Sequence, residues 1–407
     1  MKKRIAVLCV LIVVLCGFAA LNGQASGIGN NLGKNAVSNT VIISREEYDR
    51  LQRYKEMDEI LQYVEQWYYE EPDVDKLIES ATRYMLYGLE DPYSFYYNEA
   101  EWAQMWENDD GKYGGIGIQM QGKTEDGSVT ITRVFKDTPA ERAGVRKGDR
   151  LVRVEDLEVD FYSMQNAVNI MRGTLGESVE IEVLRGSEYL TFNIIRAEIQ
   201  VNNVDYTMLE DQVGYIALYD FAGECQKEFA DAFDALKAQG AKSLVVDLRD
   251  NPGGWVDAAQ SIGDLFLEDG ILVYSENRYG TRDELTMTAG MDDIPLVFLV
   301  NGNSASSSEI LSGGLQDRGR AVLVGTQTYG KGILQWVIPL NNNKEGFQLT
   351  FAQYFLSSGK KVHKEGITPD IICEMPEELV NEKFALGDMS DPQLKAAWET
   401  AKGMIQE

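Results

Sequence analysis

Apolar side chains follow four successive patterns along this chain. They are uninterrupted from Ile5 to about Leu21. They recur at helical spacing between Tyr48 and Trp67 and again from Val74 to Leu89, which predicts two helical stretches. From Lys112 to about Arg196, short apolar runs alternate with turns and indicate a small domain rich in β-strands. After residue 200, strands alternate with helices, which predicts a largely parallel or mixed sheet covered on both faces.

These patterns predict a multidomain chain of the α/β and α+β classes. Its segments are a signal peptide or signal-anchor at 1–27, a linker at 28–43, an N-terminal helical region at 44–110, the β-rich domain at 111–197, an α/β core at 198–375 and a C-terminal helical segment at 376–407. Ser44-Arg45-Glu46-Glu47 has the spacing of a capping box, and Asp391-Pro392 places proline at the first position of the last helix. The predicted core strands are Val213–Leu218, Ser243–Leu248, Leu296–Val300, Ala321–Val324 and Ile333–Leu340, and its predicted helices include Glu228–Ala238 and Trp255–Leu267.

The composition excludes several classes of protein. With 407 residues, the chain is long enough for two or three domains. Its formal net charge of −27 argues against a nucleic-acid partner, because binding to phosphates requires a basic surface. One histidine and no CxxC pair leave no histidine-based metal cluster, so we expect neither a metal nor another cofactor. Cys225 and Cys373 could form one disulfide, and the sequence leaves that open.

The first residues predict export. Lys2-Lys3-Arg4 precedes the apolar stretch, and the small and polar residues Asn22 to Gly27 follow it, which is the order of a signal sequence. The stretch is slightly long for a cleaved signal and slightly short for a transmembrane helix, so a cleaved signal peptide and a retained signal-anchor both fit. In either case the basic flank stays inside, and the rest of the chain becomes extracytoplasmic, membrane-anchored or secreted.

Ser306 is the candidate nucleophile. It lies in Asn303–Glu309, where a predicted helix begins, and the free N–H groups at a helix start favour a developing negative charge. The pair Ser306 and Glu309 also has capping-box spacing, so the serine could simply cap that helix. Three further serines compete with it as nucleophile on spacing alone: Ser304, Ser307 and Ser308.

Lys331, between Gly330 and Gly332, is the candidate base. A serine hydroxyl is a weak nucleophile until a base takes its proton. The one histidine of the chain is His363, whereas a lysine desolvated by burial has a lowered pKa and can perform the same task. A lysine in an exposed glycine turn would have no such role.

The same lysine completes a GxxxxGK pattern, Gly325–Lys331, which is typical of a phosphate-binding loop, and Leu244–Asp247 could be its acidic partner strand. However, Gly332 stands where such a loop has the serine or threonine that ligates magnesium. The residues that follow alternate as a strand does, whereas a phosphate-binding loop must open a helix. A nucleotide-binding enzyme is therefore the weaker hypothesis.

Two glycine-rich segments complete the candidate chemistry. Asp247–Gly254 follows a buried strand, and its paired glycines allow backbone N–H groups to approach a substrate as an oxyanion hole requires. Tyr113-Gly114-Gly115-Ile116-Gly117-Ile118 opens the β-rich domain, where such a loop can bind an anion and the strand beside it can accept an extended peptide. Alone, each segment would be interpreted as a turn without a ligand. With Lys147–Val152, the second makes the domain resemble a PDZ domain, whose loop of this kind binds a peptide C-terminus.

The combined motifs resemble those of the C-terminal processing peptidases, the tail-specific serine proteases. The matching segments are Leu89–Ser94, the PDZ-like domain, Asp247–Gly254, Ser304–Glu309, Tyr329–Gly332 with Gln335, and Gly366–Asp370. The resemblance covers nearly all of the chain beyond the signal segment. It implies an α/β protease core related to the ClpP/crotonase fold with an inserted PDZ domain, and cleavage of proteins presented by their C-terminal ends.

The resemblance also implies residue roles. Ser306 would be the nucleophile, Lys331 the general base and Gln335 the residue that orients the lysine. The backbone N–H groups of Gly253 or Gly254, and of one residue after the nucleophile, would form the oxyanion hole.

Three further residues have less direct roles. Ser307, the residue after the nucleophile, replaces the alanine of many relatives and should be tolerated, since only its backbone N–H is used. Arg172 is implied as a regulatory residue that relays occupancy of the PDZ domain to the active site. His363 lies in a polar segment and is expected to be structural or exposed.

We therefore predict an exported serine endopeptidase that recognises protein or peptide substrates by their free C-termini and acts through an acyl-enzyme. The competing hypothesis is a non-catalytic PDZ scaffold on a protease-like fold, against which the intact Ser306, Lys331 and Gln335 argue. The resemblance also implies a homodimer formed through the N-terminal helices and the C-terminal segment.

Overall fold

The computed structural model describes residues 41–109, 112–122, 126–288, 292–379 and 384–405. The predicted signal segment 1–27 and most of the predicted linker 28–43 lie outside these ranges. The chain divides into two units, one up to Val74 and one from Asp75 onward. Within the described ranges, every helix is too short or too polar to span a bilayer.

The described part of the first unit contains the α-helices α1 (Arg45–Leu51) and α2 (Lys55–Trp67). The Ser44 hydroxyl accepts a hydrogen bond from the Glu47 N–H at 3.0 Å, so the predicted N-terminal cap is formed. A 3₁₀ turn at Gln52–Tyr54 separates the two helices, where the sequence predicted one continuous helical stretch.

The second unit begins within α3 (Val74–Tyr87) and continues with the short strand β1 (Phe95–Tyr97) and α4 (Glu99–Asp109). Arg83 on α3 donates a hydrogen bond to Glu101 on α4 at 3.0 Å, which ties these two helices together.

The PDZ-like domain follows as two small sheets and two helices. Its elements are β2 (Lys112–Gly115), β3 (Ile118–Gly122), β4 (Val129–Val134), α5 (Pro139–Ala143), β5 (Arg150–Val154), β6 (Leu157–Glu158), α6 (Met164–Met171), β7 (Ser178–Arg185), β8 (Glu188–Ile195) and β9 (Ala197–Gln200). The antiparallel sheet has the order β3-β4-β5-β7-β8, with β6 on β5, and β2 pairs with β9. Its core includes Ile131, Leu151 and Ile181, packed in one cluster with Ala167 of α6.

The remaining residues form the core domain. Its elements are β10 (Val204–Met208), β11 (Val213–Leu218), α7 (Cys225–Ala238), β12 (Ser243–Asp247), α8 (Val256–Gly263), β13 (Gly270–Asn277), β14 (Arg282–Met287), β15 (Leu296–Val300), α9 (Ser307–Asp317), β16 (Val322–Gly325), β17 (Ile333–Leu340), β18 (Glu345–Leu356), β19 (Ile371–Ile372) and α10 (Pro392–Ile405). Neither Cys225 nor Cys373 forms a disulfide within the described ranges.

One sheet of the core has the order β10-β11-β12-β15-β16-β19 and is parallel except for β10. Alternate residues of its strands face two layers. Ile216 and Val246 pack in the cluster that contains α7, α8 and α9, whereas Tyr215 and Val245 pack with α10. The predicted sheet covered on both faces is therefore confirmed.

A second sheet of the core is antiparallel, with the order β1-β18-β13-β14 and β17 paired to β18. The sequence predicted β17 with its observed bounds but did not predict β13, β14 or β18. The predicted helix Trp255–Leu267 was too long, because α8 ends at Gly263 and Phe266 is instead buried in the core.

The candidate site lies at one edge of the parallel sheet. Strands β12, β15 and β16 run in the same direction, with Asp247 beside Leu299 and Val300 beside Gly325. The loops that leave their carboxyl ends are therefore neighbours, as is usual for binding sites in parallel sheets. They carry the glycine turn, the serine segment and Lys331.

Candidate active site

Ser306 stands at the start of α9 in a backbone conformation that is rare for any residue except glycine. Its φ is 55° and its ψ is −116°. The Glu309 carboxylate accepts a hydrogen bond from the Ser306 N–H at 3.0 Å, so the two residues are paired as their spacing predicts. The serine is 7% exposed and lines a cavity. Backbone strain of this kind is concentrated at functional sites.

The three serines that compete with Ser306 are each bound to a backbone carbonyl. The bonds run from Ser304 to Leu248 at 2.7 Å, from Ser307 to Gly254 at 2.8 Å and from Ser308 to Asn251 at 3.0 Å. All three acceptors belong to Asp247–Gly254, so these hydroxyls attach the serine segment to that loop. Of the four serines, Ser306 is the one that lines the cavity.

Glu309 holds two candidate segments together. Its buried carboxylate accepts hydrogen bonds from the N–H groups of Ser306, Gly330 and Lys331 at 3.0, 2.7 and 2.9 Å. It also accepts one from the Thr328 hydroxyl at 2.5 Å. Burial raises the pKa of Glu309, and these hydrogen bonds act against the rise. One carboxylate thus fixes the backbone of both the candidate nucleophile and the candidate base.

The predicted glycine turn lies directly against Ser306. Gly253 and Gly254 have φ values of 104° and 138°. A Cβ on Gly253 would lie 2.7 Å from the Ser306 Cβ and 2.9 Å from the Ser307 nitrogen, so a larger residue would not fit. The Gly253 N–H donates to the Asn251 side chain at 2.9 Å. The N–H groups of Gly254 and Ser307 have no hydrogen-bond partner among the described residues, so these two are the available donors.

Lys331 lies in the loop between β16 and β17. Its side chain is half-buried, and its Nζ lies 4.7 Å from the centre of the Tyr93 ring. Burial lowers the pKa of Lys331, and the carboxylates of Asp91 and Glu309 oppose that shift. In the described part of the chain, no hydrogen bond joins this amine to the Ser306 hydroxyl, although both residues line the same cavity. A strand rather than a helix follows the loop, which excludes a phosphate-binding loop.

The cavity measures about 660 Å³ and brings together Ser306, Lys331, Gln335 and Gly254. Gln335 donates a hydrogen bond to the Thr350 hydroxyl at 3.2 Å, so its amide is held by β18 rather than by the lysine. Its role in orienting Lys331 stays a prediction. The lining also includes apolar side chains, namely Val273, Leu285, Ile310 and Leu334. A mostly apolar cavity with a few converging polar groups is typical of a ligand-binding site.

Arg249 anchors the glycine loop to the C-terminal helix. Its guanidinium contacts Asp247 at 2.6 Å, Asp391 at 2.8 Å and Gln393 at 3.0 Å. Burial works against the charged form, but the two carboxylates hold the pKa of Arg249 above its usual value. Asp391 also caps α10 by accepting a hydrogen bond from the Leu394 N–H at 3.2 Å, as its sequence position predicts.

The glycine-rich segment Tyr113–Ile118 joins β2 to β3 of the PDZ-like domain. Gly117 has a φ of 90°, and a Cβ there would lie 2.4 Å from Thr138, so the backbone approaches α5 closely. The Ala140 N–H donates to the Ile116 carbonyl at 2.9 Å. The segment is therefore fixed at the N-terminus of α5, and its role in peptide binding stays a prediction.

Arg172 connects this glycine-rich segment to α4. Its guanidinium donates to Glu107 at 2.9 Å and lies 4.6 Å from the centre of the Tyr113 ring. On the same helix, Trp106 stacks on Trp255, with ring centres 6.1 Å apart, and Trp255 follows the glycine turn directly. A continuous set of contacts thus leads from the PDZ-like domain to the candidate oxyanion donors.

His363 lies behind the lysine loop. A Cβ on Gly332 would be 2.2 Å from the His363 nitrogen, so the two backbones are in close contact. The side chain is half-buried rather than exposed, and burial lowers the pKa of His363. The residue is absent from the cavity lining that contains Ser306.

Comparison with known proteins identifies the family. Residues 212–373 match the model of Peptidase family S41, and residues 130–185 match that of a PDZ domain. The carboxy-terminal-processing protease of Bartonella bacilliformis is 34% identical over 378 residues, which cover 89% of this chain and 85% of the relative. This chain belongs to the C-terminal processing peptidases. It is accordingly a serine protease with a PDZ domain.

Other C-terminal processing peptidases show the same similarity along most of their length. The carboxyl-terminal-processing protease of a Synechocystis species is 31% identical and covers 95% of this chain and 93% of the relative. Among solved structures, the photosystem II D1 C-terminal processing protease has a TM-score of 0.55 and 25% identity, and the match covers 87% of this chain and 100% of that one. The predicted α/β protease core with a PDZ domain is confirmed.

Two features of this peptidase's site were not predicted. The sequence assigned Glu309 to capping alone, whereas it also binds the lysine loop. The segment Leu89–Ser94 was recognised without a role, and its Tyr93 lies against Lys331. The Tyr93 and Tyr329 hydroxyls are 3.3 Å apart although the residues are separated by 236 positions. A contact over that separation leaves no local pattern in a single sequence.

Proposed function

We propose that this peptidase hydrolyses peptide bonds with a Ser306–Lys331 dyad through an acyl-enzyme. The neutral Lys331 amine takes the Ser306 proton while the serine oxygen bonds to the substrate carbonyl carbon. The carbon–nitrogen bond then breaks, and the lysine gives its proton to the leaving amine. In the second half, the lysine takes a proton from water, the hydroxide attacks the ester, and Ser306 regains a proton as the acid leaves.

The nucleophile is assigned from the hydrogen bonds and the positions of the four neighbouring serines. Ser304, Ser307 and Ser308 donate to backbone carbonyls, whereas Ser306 lines the cavity that Lys331 also lines. The half-buried position of Lys331 supports its role as base, because burial lowers its pKa and increases the neutral fraction. The lysine side chain must move to meet the hydroxyl, and catalytic contacts commonly tighten only when substrate is bound.

The oxyanion hole consists of the Gly254 and Ser307 N–H groups. Both are without a partner among the described residues and flank the Ser306 turn, whereas the Gly253 N–H is already bonded within its loop. Gly253 instead provides the space for the close approach of the two loops. Donors fixed in this way need no reorganisation when charge develops on the substrate oxygen.

The PDZ domain captures the free C-terminus of a protein substrate. The Tyr113–Ile118 segment offers the backbone for a carboxylate, and the adjacent strand can pair with the peptide. Arg172 relays this occupancy through its contacts with Tyr113 and Glu107. Replacing Arg172 by alanine should leave peptide binding intact and remove the stimulation of proteolysis by a C-terminal peptide.

The test uses unfolded casein and a pair of peptides that differ in a free or an amidated C-terminus. Ser306→Ala should abolish cleavage of all of them, whereas the control Ser312→Ala, on the same helix, should retain it. The amidated peptide should be cleaved more slowly than the free acid by the wild-type enzyme. Cleavage by Ser306→Ala would contradict the assignment, and an inactive wild-type protein would favour the scaffold hypothesis.

We also propose that the chain is exported. Support comes from the basic residues 2–4 and the apolar stretch that follows them. Fractionation of cells that express the full chain should find the protein outside the cytoplasm, in the membrane if the segment is retained or free if it is cleaved. Replacement of the apolar stretch by polar residues should retain the protein in the cytoplasm, and an unchanged distribution would contradict export.

A further inference from the structure

The Asp91–Ser94 turn is built into the lysine side of the site, although it precedes the PDZ domain in the chain. The Asp91 carboxylate accepts hydrogen bonds from the Tyr93 N–H at 3.0 Å and the Ser94 hydroxyl at 2.6 Å, which closes the turn. The Ser94 hydroxyl in turn accepts from the Thr350 N–H at 2.9 Å. The pairing of β1 with β18 continues this attachment. The turn is therefore held firmly against the sheet that carries Gln335.

This attachment places the face of the Tyr93 ring against the end of Lys331. The Nζ lies 4.7 Å from the ring centre, within the range of a cation–π contact. The Tyr93 hydroxyl meets that of Tyr329 at 3.3 Å, which fixes the ring from its far end. The ring is thus oriented by two contacts that do not involve the lysine amine.

The chemistry of the dyad gives this contact a consequence. Lys331 carries a positive charge after it takes the Ser306 proton and before it gives that proton to the leaving amine. The face of an aromatic ring attracts an ammonium group and has little attraction for a neutral amine. A ring in this place therefore stabilises the charged state that the dyad must pass through.

We propose that Tyr93 is a positioning residue of the dyad, whose ring face holds the Lys331 ammonium beside the cavity and sets the pH at which the base works. The proposal rests on the assignment of Lys331 as the general base. It gives a function to a turn that lies on the other side of the PDZ domain in the sequence.

Other charged and titratable groups also face this lysine and must be accounted for. Asp91 and Glu309 act on it through their charges, and both oppose the effect of burial. Burial raises the pKa of Tyr93 to about 12, so this hydroxyl stays neutral in an assay near neutral pH. His363 lies behind the loop, and burial lowers its pKa. Its side chain is therefore uncharged in an assay at or above neutral pH. An informative change must therefore alter the ring's electrons without altering these groups or the packing.

Fluorination of the ring meets that condition. Tyr93→Phe serves as the reference, because it keeps the ring and lacks the hydroxyl. Incorporation of 3,4,5-trifluorophenylalanine at position 93 keeps nearly the same shape but removes most of the negative potential of the ring face. Loss of that potential disfavours the ammonium and lowers the pKa of Lys331. Relative to Tyr93→Phe, we expect the acidic limb of kcat/KM to move about half a pH unit lower and kcat to fall about threefold.

Trifluorophenylalanine placed at the exposed Tyr189 on β8 controls for the effect of incorporating the unnatural residue. It should leave the acidic limb of kcat/KM unchanged. An acidic limb and kcat equal to those of Tyr93→Phe would overturn the proposal. Ser306→Ala and Lys331→Ala are measured in parallel. If both lose activity while fluorination has no effect, only the role of Tyr93 fails, whereas an active Lys331→Ala would refute the dyad itself.

Discussion

The two halves of the site are built in different ways. In the nucleophile half, Ser304–Glu309 is buried and attached to Asp247–Gly254 by hydrogen bonds from three hydroxyls to backbone carbonyls. The lysine half consists of Lys331 and Asp91–Ser94. The Lys331 backbone is fixed by its hydrogen bond to Glu309, whereas the amine lies on the face of the Tyr93 ring. A hydrogen-bonded backbone fixes a position, whereas a contact with a ring face keeps the end of a long side chain nearby without fixing its exact position.

This difference assigns separate tasks to the two halves. The nucleophile half is preorganised, so its donors and its strained serine are in place before substrate binds. In the proposed mechanism, the lysine half determines when the serine is activated, because the charge and the position of the amine depend on neighbours from distant parts of the chain. Apart from changes to Ser306 itself, substitutions in the first half should therefore mainly cost stability, and those in the second half should mainly change rate and pH dependence.

The largest effect is expected for Lys331→Met, which keeps the length of the side chain and removes the amine. We expect a loss of about 10³-fold or more in kcat, because no other base replaces it. The unfolding midpoint should change little, since the amine makes no hydrogen bond within the described residues. Proteolysis of casein measures kcat, and thermal unfolding measures the midpoint. A variant that stays active but unfolds at a lower temperature would contradict the proposed division of tasks.

Arg249→Met probes the nucleophile half through its anchor. It leaves Asp247 and Asp391 without their partner, so we expect a loss of about 3–5 kcal/mol in the free energy of unfolding. Urea denaturation measures the loss. The matched double variant with Asp391→Asn should recover part of it, because one uncompensated charge is removed. Equal stability of the single and double variants would show that the ion pair is not what anchors the loop.

Glu309→Gln tests the connection between the halves. The glutamine amide donates where the buried carboxylate accepted, so some N–H groups of Ser306, Gly330 and Lys331 lose their acceptor. We expect a loss of about 2–3 kcal/mol in stability. Activity should fall as well, in contrast to a residue that only caps a helix. A variant that is less stable but fully active would restrict Glu309 to capping.

Ser307→Ala should have the smallest effect. It removes one hydrogen bond to the Gly254 carbonyl at 2.8 Å and leaves the backbone N–H in place. We expect a loss of about 1 kcal/mol in stability with activity largely retained. From the sequence, only the backbone N–H of Ser307 was expected to have a role. Unchanged stability of the variant in urea would show that the hydrogen bond of the hydroxyl contributes nothing.

Much of the fold was predictable because its strands have clear patterns. The buried strands Val213–Leu218 and Leu296–Val300 are continuous apolar runs, and Ile333–Leu340 alternates. The missed strands lack such patterns. Residues 282–287 begin with three exposed, charged side chains. Residues 345–356 carry apolar side chains on both faces, with Phe347, Leu349 and Phe351 on one face and Ala352, Tyr354 and Leu356 on the other, which obscures the alternation of a strand.

The site was predictable where its residues are close in sequence and chemically distinctive. The serine segment, the glycine turn and Lys331 each follow a recognisable strand. Spacing alone left the choice among the four serines open until the family resemblance pointed to Ser306, and the choice between Gly253 and Gly254 stayed open. Both choices depend on hydrogen bonds formed within and between loops. Tyr93 was not found because its contact with the lysine exists only after β1 pairs with β18.

Reaction with a fluorophosphonate, followed by peptide mapping over a range of pH, tests most directly whether Lys331 activates Ser306. We expect a single adduct on Ser306 that forms faster as pH rises, with a midpoint below the ordinary lysine pKa of 10.5, because burial lowers the pKa of Lys331 and the neutral amine is the active form. The adduct should form far more slowly in Lys331→Met at every pH. Labelling of another serine, or an equal rate in Lys331→Met, would contradict the dyad.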